Sequence, residues 1–147
     1  MLNFLKLALG KSMADVPAPP FTKWLAGTLL HAELGQTEMR ITVRPEMTNP
    51  AGMLHGGIHS AILDDLIGIT VAAAGLPNLY VSVNLAIDFM APAREGDVVV
   101  AKAKLTRSGK TIVNAIGELY AENGTLLSRA TSNLANTGLP SIMPQNF

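Results

Sequence analysis

Apolar residues along this chain follow two patterns, one helical and one alternating. From Gly56 to Ala74 they occupy almost every face at helical spacing, which predicts a long α-helix that is buried nearly all round. From Thr37 to Arg44 apolar and polar residues alternate, with Met39, Ile41 and Val43 on one face, as expected for a half-buried strand. Together the patterns predict an α+β protein in which an antiparallel six-stranded sheet is wrapped around one long central helix.

Short runs of turn residues separate the predicted strands. Gly35-Gln36, Ser108-Gly109 and Asn123-Gly124 are connections of the kind found in β-hairpins, so the strands that they join are expected to be antiparallel neighbours. The predicted strands cover residues 25–34, 37–44, 79–90, 97–107, 111–121 and 126–136.

Both ends of the chain are predicted to lie outside the main domain, which covers residues 21–138. Residues 1–11 predict a short amphipathic helix rather than a secretory signal, because Lys6 interrupts the apolar run and no basic region precedes it. The linker that follows, up to residue 20, contains prolines that exclude regular structure. The tail at 139–147 contains further prolines and is predicted to be irregular.

Composition narrows the classes of function. Hydrophobic residues make up 48% of the chain and charged residues 15%, which favours further burial between subunits. The formal net charge is zero, so the chain lacks the basic surface of a nucleic-acid-binding protein. The absence of cysteine excludes disulfides, thiolate metal sites and a cysteine nucleophile, and it favours a cytoplasmic location.

One uncharged segment, from Leu66 to Ile87, is long enough to span a membrane. Turn residues interrupt it at Gly75-Leu76-Pro77-Asn78, and apolar positions alternate after that point. A buried helix followed by a strand explains this pattern better, so no membrane is expected as a partner.

Candidate chemistry is concentrated on the predicted central helix. His55 and Gly56 lie at its start, where free backbone N–H groups and the helix dipole favour a developing negative charge, as in an oxyanion hole. Equally, Gly56 and Gly57 could serve only to allow a tight entry into the helix. Further along, Asp64 lies among small residues that leave room for a ligand, which favours a functional role. Asp65 lies near an apolar ridge, where a solvated residue at the helix edge is as good an interpretation.

His55 and Asp64 are too far apart to act together within one subunit. Their separation along a helix is ~13 Å at ~1.5 Å per residue. They can therefore touch one reacting carbonyl only if the acid comes from another subunit. Two such helices, packed antiparallel about a two-fold axis, would bring Asp64 of one chain near His55 and Gly56 of the other.

A metal site is disfavoured. His55 and His59 have the i, i+4 spacing of zinc ligands, but a glycine replaces the glutamate of the zincin motif and no third ligand is evident. His59 is expected to be a helix residue with satisfied hydrogen bonds. The sequence also lacks a nucleophile elbow, a phosphate-binding loop and a dinucleotide-binding motif.

The motif Asn49-x5-His55-Gly56-Gly57-x6-Asp64 resembles the signature of hotdog-fold acyl-CoA thioesterases. The resemblance is greatest to the branch typified by the phenylacetic-acid-degradation (PaaI-like) thioesterases. The order of two strands, one helix and four strands is similar to that family as well. Weaker resemblances follow in the same order, so that the similarity covers roughly residues 25–137; they lie at 81–83, 89–93, 96–97 and 107–111.

This resemblance implies a role for each matched residue. Gly56 would donate its backbone N–H to the thioester carbonyl oxygen, and Asp64 of the facing subunit would act as nucleophile or as general base for water. Asn49 and His55 would orient the substrate and the water, and Ser82 would contribute a hydroxyl. Further substrate contacts are expected at Gly57 and, for the CoA phosphates, at Arg94, Arg107, Lys110 and Thr111.

The resemblance also implies that coenzyme A is part of the substrate, that no cofactor or metal is needed, and that a homodimer is the minimal unit, with dimers pairing into a homotetramer. A non-catalytic hotdog domain that binds acyl-CoA as an effector is the main alternative, and the retained Asp64 argues against it. A hotdog dehydratase or hydratase is a further alternative, but its D-x3-N-x2-H pattern is missing. A scaffold whose apolar helix serves only dimerisation also remains open, as does the identity of the acyl group.

Overall fold

A computed structural model of the chain describes residues 1–142, which form six β-strands and three α-helices. The strands are β1 (Thr28–Glu33), β2 (Gln36–Thr42), β3 (Asn78–Phe89), β4 (Val98–Ser108), β5 (Ile112–Ala121) and β6 (Leu126–Pro140). The α-helices are α1 (Leu2–Leu7), α2 (Pro20–Leu25) and α3 (Gly56–Ala73). Two short 3-10 helices lie at Met13–Asp15 and Pro45–Met47.

The six strands form one antiparallel sheet in the order β1-β2-β4-β5-β6-β3. The long helix α3 packs against strands from both edges and from the middle of this sheet. The predicted α+β architecture, a six-stranded antiparallel sheet wrapped around one long central helix, is therefore confirmed.

Helix α3 has a buried side and an open side. The buried side chains are His59, Ile62, Leu63, Leu66, Ile67, Thr70, Val71 and Ala73. A Cβ atom at Gly117 on β5 would lie 3.3 Å from both Leu63 and Ile67, so a glycine there allows the sheet to approach the helix closely. By length and composition α3 could cross a membrane, but a core helix covered by a sheet meets the same criterion.

Strand β3 forms an exposed edge of the sheet. Within residues 1–142 it pairs with β6 on one side and with no strand on the other. Its Val81 and Val83 side chains are 46% and 59% exposed. An apolar strand edge beside the open side of α3 is a surface suited to pairing with another chain.

The N-terminal residues are part of the core, although the sequence pattern places them outside the main domain. Leu5 and Met13 are almost fully buried. The Gly10 N–H donates to the Leu29 carbonyl at 2.8 Å, and the Met13 N–H donates to the Gly27 carbonyl at 2.8 Å. The chain therefore runs beside β1 before it reaches α2, and residue 20 marks no break in packing.

The bounds of two other segments near the start of the sheet also differ from prediction. Helix α2 lies between the predicted linker, which ends at residue 20, and the predicted first strand, which begins at residue 25. Pro20 at its first turn favours the helix because its missing N–H would be unpaired there in any case. The first hairpin turn is Leu34–Gly35 rather than Gly35-Gln36, because Glu33 pairs with Gln36.

The C-terminal strand is longer than the sequence pattern predicts. β6 continues to Pro140, two residues into the segment predicted to be irregular, because its last residues still pair with the start of β3. Residues 143–147 of that tail lie outside the described residues.

Candidate active site

The first turn of α3 presents an unpaired backbone donor. His55 caps the helix in an extended conformation, and its Nδ1 accepts a hydrogen bond from the Gly57 N–H at 2.9 Å. The Gly56 N–H takes part in no hydrogen bond within residues 1–142. This free donor lies at the positive end of the helix dipole, so Gly56 can stabilise a partial negative charge on an incoming oxygen.

Gly56 is also the residue where a side chain would crowd the site. A Cβ atom there would lie 3.2 Å from Cζ of Phe89, at the end of β3. The Phe89 ring meets His59 edge-on with the ring centroids 5.5 Å apart. The first turn of α3 is therefore bordered on one side by an aromatic ring, next to Gly56.

Asn49 organises the loop that leads into α3. Its Oδ1 accepts hydrogen bonds from the Ala51 N–H at 3.0 Å and from the Met53 N–H at 3.1 Å. The amide oxygen is thus used within the loop, which leaves the Nδ2 group as the part of the Asn49 side chain that can reach a ligand. The prediction that Asn49 orients substrate rests on that NH2 group.

Asp64 lies on the open side of α3 and is exposed. The Ser82 hydroxyl on β3 donates to Asp64 Oδ1 at 2.7 Å. Gly57, Ser60 and Ala61 line a shallow groove with this pair, between the helix and the edge strand. The structure thus brings together two predicted site residues that are far apart in sequence, and it leaves the second carboxylate oxygen of Asp64 open to a ligand.

Gly56 and Asp64 remain apart in a single chain. Eight residues of helix separate them by ~12 Å along the axis. Strand β3 shows the same separation, because Ser82 donates to Asp64 whereas Phe89, at the end of the strand, lies next to Gly56. One chain therefore carries a free backbone donor and an exposed carboxylate, but does not bring them to one place.

Asp65, the next residue, has a different environment. Its Oδ1 accepts a hydrogen bond from the Thr22 hydroxyl of α2 at 2.8 Å, and its Oδ2 is buried without a partner in the described part of the chain. Burial raises the pKa of the Asp65 carboxyl from 3.8 to about 6, the Thr22 hydrogen bond opposes this rise, and the nearby Asp64 charge adds to it. Asp65 is therefore not the solvated edge residue that one interpretation of the sequence expects.

His59 is a buried residue of the core. Its Nδ1 shares a hydrogen bond of 2.9 Å with the Ser128 hydroxyl, and burial lowers the pKa of its imidazole. The expectation of a helix histidine with a satisfied hydrogen bond is confirmed at this nitrogen. Residues 1–142 contain no cluster of three or more metal-ligating side chains.

The predicted phosphate contacts lie in two separate places. Arg94 is next to the loop of Asn49, since its guanidinium donates to the Ala51 carbonyl at 3.4 Å. The turn that carries Arg107, Lys110 and Thr111 is instead bound to Tyr80 at the start of β3, whose hydroxyl donates to the Lys110 carbonyl at 3.2 Å. Arg94 therefore lies near the Gly56 end of α3, and the turn lies nearer to Asp64.

A cavity of about 500 Å³ extends from Asp64 and Ser82 into the molecule. Its walls come mainly from α3, from β3 and from the N-terminal residues that were predicted to form a separate helix and linker, and Ser141 and Ile142 after β6 contribute as well. The apolar positions of residues 1–11 are the sequence signal for the N-terminal wall of the cavity. They show that the segment has a buried side, but they do not show what it covers.

Comparison with known proteins places this geometry in context. The sequence profile of the Thioesterase superfamily matches residues 51–128, which include the whole of α3 and the Asp64–Ser82 pair. Human acyl-coenzyme A thioesterase 13 is 31% identical over 119 residues, which cover 74% of this chain and 80% of that protein.

Solved structures share the fold. The Escherichia coli PaaI protein from the phenylacetic acid degradation operon has a TM-score of 0.75 at 20% identity, with 80% of this chain and 84% of that chain covered. A Streptococcus mutans protein solved with bound acetyl-CoA has a TM-score of 0.72 at 18% identity, with 78% and 90% covered. The predicted resemblance to PaaI-like hotdog proteins is therefore confirmed for the fold.

Proposed function

Because the chain belongs to the Thioesterase superfamily, we propose that it hydrolyses the thioester of an aryl- or fatty-acyl-CoA to a free acid and CoA, at a site shared between two copies of the chain. Family membership confirms the prediction that the protein is a thioesterase. The acyl group, the shared site and the roles of individual residues are the substance of the proposal.

A single observation carries the shared site: the free Gly56 N–H and the exposed Asp64 carboxylate lie ~12 Å apart along one rigid helix. Two antiparallel copies of α3 would place the Asp64 of each opposite the Gly56 of the other. The small residues beside Asp64 allow such an approach, and the exposed Val81 and Val83 of β3 would then be buried. A homodimer is therefore the minimal active unit in this proposal, and pairing of dimers into a tetramer is an extension of it.

In the proposed reaction the Gly56 N–H polarises the thioester carbonyl and stabilises the oxyanion that forms on it. Asp64 of the second copy, oriented by the Ser82 hydroxyl, removes a proton from water, and the resulting hydroxide attacks the carbonyl carbon. The tetrahedral intermediate collapses, the C–S bond breaks, and the CoA sulfur takes up the proton. If Asp64 attacks the carbonyl itself, the same steps pass through a mixed anhydride that water then hydrolyses.

The basic residues fit the same arrangement. In a single chain Arg94 lies on the Gly56 side and Lys110 lies on the Asp64 side, so an antiparallel pair would bring the two together at each site. Arg107, near the end of β4, precedes the same turn as Lys110. Their charges are suited to the phosphates of CoA, and Thr111 could add a hydroxyl. The acetyl-CoA bound to the Streptococcus mutans relative supports an acyl-CoA ligand for this chain.

The test is thiol release from a panel of aryl- and fatty-acyl-CoAs, comparing wild type with Asp64→Asn at matched oligomeric state. We expect activity on part of the panel and its loss in the variant. Glu122→Gln, which removes an exposed carboxylate in the turn between β5 and β6, is the matched control and should behave as wild type. Acyl-CoA binding without hydrolysis in wild type would replace this proposal with the effector-binding alternative. A cytoplasmic location is a further part of the proposal, supported by the absence of cysteine.

A further inference from the structure

We propose that the cavity beside Asp64 binds the acyl chain of the substrate and that the N-terminal segment, residues 1–19, forms a wall that selects medium-chain aliphatic acyl groups. This inference rests on the proposed function, because it assigns a substrate class to the same site. The N-terminal segment would then contribute to acyl-chain specificity, which the motif from Asn49 to Asp64 does not explain.

The cavity begins at the proposed reacting carboxylate. Asp64 and Ser82, joined by a hydrogen bond of 2.7 Å, both line it. A substrate whose carbonyl carbon lies beside Asp64 would therefore have an apolar space next to its acyl group. The volume of about 500 Å³ is within the range of ~300–1,000 Å³ that is usual for small-molecule pockets.

The lining distinguishes the acyl group from the rest of the substrate. Apolar side chains enter from three directions, with Phe4 on α1, Ile69 on α3 and Leu79 on β3. Among the described residues, no lysine, arginine or histidine lines the cavity. The CoA phosphates would find no opposite charge there, whereas an aliphatic chain would leave water for an apolar environment.

The length of the cavity sets the expected size of the chain. Its α3 side extends from Asp64 to Ala72, a distance of ~12 Å along the axis at ~1.5 Å per residue. A residue of extended backbone has three bonds and spans at most ~3.5 Å, so an extended chain advances ~1.2 Å per bond. The cavity therefore accommodates about ten carbons, as in a decanoyl group.

The N-terminal wall is a fixed part of the fold. Leu5 and Met13 both line the cavity and are almost fully buried. The segment between them is held to β1 by the hydrogen bond from Gly10 to Leu29, at 2.8 Å. A wall anchored in this way limits the space for an acyl chain before the substrate arrives, so it can discriminate between chain lengths.

The first measurement is kcat/KM for straight-chain acyl-CoAs from butanoyl to hexadecanoyl. Burying each further methylene should raise kcat/KM about fourfold until the cavity is filled. We expect the rise to end near decanoyl-CoA and the longer substrates to gain nothing or to lose activity.

Two substitutions should move this optimum in opposite directions. Gly68 lines the cavity from α3, and a Cβ atom there would meet no heavy atom of residues 1–142 within 4 Å outside its own helix backbone, so Gly68→Leu is expected to occupy part of the cavity. It should lower kcat/KM for decanoyl-CoA about tenfold or more, and the loss should be smaller for butanoyl-CoA, whose shorter chain fills less of the cavity. Phe4→Ala should enlarge the cavity and shift the optimum towards dodecanoyl- or tetradecanoyl-CoA.

Leu7→Ala is the matched control, because Leu7 lies on the same helix as Phe4 but is 76% exposed and does not line the cavity. Ala72→Leu fills the same space from a second position, and should reproduce the effect of Gly68→Leu if the latter disturbs the oligomer. Suppose that the wild type hydrolyses acyl-CoAs, but that its chain-length profile is unchanged in Gly68→Leu, Ala72→Leu and Phe4→Ala. That result would overturn this inference and leave the proposed function intact. Wild type that hydrolyses no acyl-CoA would overturn both.

Discussion

Asp64 and Asp65 are consecutive residues of one helix, yet the fold gives them opposite properties. Asp64 is exposed in a groove of small residues and accepts a hydrogen bond from Ser82. Asp65, rotated by ~100° on the helix, accepts a hydrogen bond from Thr22, and its second oxygen is buried with no partner among residues 1–142. Burial raises the pKa of its carboxyl to about 6. Asp64 is thus available for chemistry because it lies on the open side of the helix, whereas the carboxyl with the perturbed pKa is the neighbouring Asp65.

This comparison shows why a raised pKa alone is a poor guide to the reacting residue. Functional sites often contain perturbed groups, but a carboxyl buried under a neighbouring helix is perturbed as well. Asp65 lines the cavity, but α2 and the N-terminal segment cover it and its Oδ1 is already bound by Thr22. Asp64 lines both the cavity and the open groove, whereas Asp65 lines the cavity and not the groove.

The sharpest way to test the comparison is to neutralise each acid in turn. Asp64→Asn should lower kcat on the best acyl-CoA by about 100-fold or more, because it removes the proposed base. Asp65→Asn should retain activity within about threefold, since the amide keeps the acceptor for Thr22. Steady-state kinetics of both variants at matched oligomeric state provide the measurement. Equal losses in the two variants would show that the acids act as a pair rather than with separate roles.

Ser82→Ala should have the next largest effect. The substitution removes the hydrogen bond of 2.7 Å to Asp64, so the carboxylate loses its orientation, and kcat should fall about tenfold. Ser82→Thr, which retains the hydroxyl on a strand position, should recover much of the activity. An alanine variant with a wild-type kcat and a raised KM would instead indicate that Ser82 contacts substrate and does not orient Asp64.

Mixed oligomers test whether Asp64 acts across a subunit boundary. Gly56→Val should be inactive, because a side chain there would meet the Phe89 ring and displace the first turn of α3 that carries the proposed donor. Refolding it together with Asp64→Ala should restore about a quarter of wild-type activity, since half of the random dimers are mixed and each of these has one intact site of two. A mixture of Asp64→Ala with Asp64→Asn is the control and should stay inactive. No recovery in the first mixture, with mixed dimers confirmed by mass, would contradict the shared site.

The smallest expected effect is on stability, and here the substitution of Asp65, not that of Asp64, should change the measurement. Its pKa is raised in the folded chain from 3.8 to about 6, so the folded state binds the proton more tightly than the unfolded state. This contribution to the free energy of unfolding is complete below about pH 4 and is lost as pH rises to about 6. Asp65→Asn should therefore be more stable than wild type by on the order of 1 kcal/mol at about pH 8, and by little at about pH 4, because the amide is neutral throughout but still leaves a buried group unpaired.

Denaturant unfolding at the two pH values checks this difference. Asp15→Asn, an exposed acid outside α3, is the control and should show no such dependence on pH. If Asp65→Asn destabilises the chain equally at both values, then the carboxylate is better paired in solution than its environment in one chain indicates.

Much of the fold follows from local pattern. The alternation in β2 and the all-round apolar character of α3 are properties of consecutive residues, so both elements could be predicted from the sequence. The sequence-based predictions are wrong where the local structure depends on contacts with distant segments of the chain. Helix α2 and the docking of residues 10–13 against β1 depend on partners beyond the local window, such as Leu29 and Gly27. The extension of β6 to Pro140 similarly depends on pairing with β3.

The same division applies to the candidate site. The sequence by itself determined that Gly56 begins a helix, that Asp64 lies among small residues, and that helix geometry keeps the two apart, since these follow from spacing along one element. Only the tertiary structure decided that Ser82 reaches Asp64, that Thr22 covers Asp65, and that the N-terminal segment walls a cavity beside them. The physical reason is that burial and hydrogen bonding depend on which surfaces meet, and the residues that meet here lie on different strands and helices.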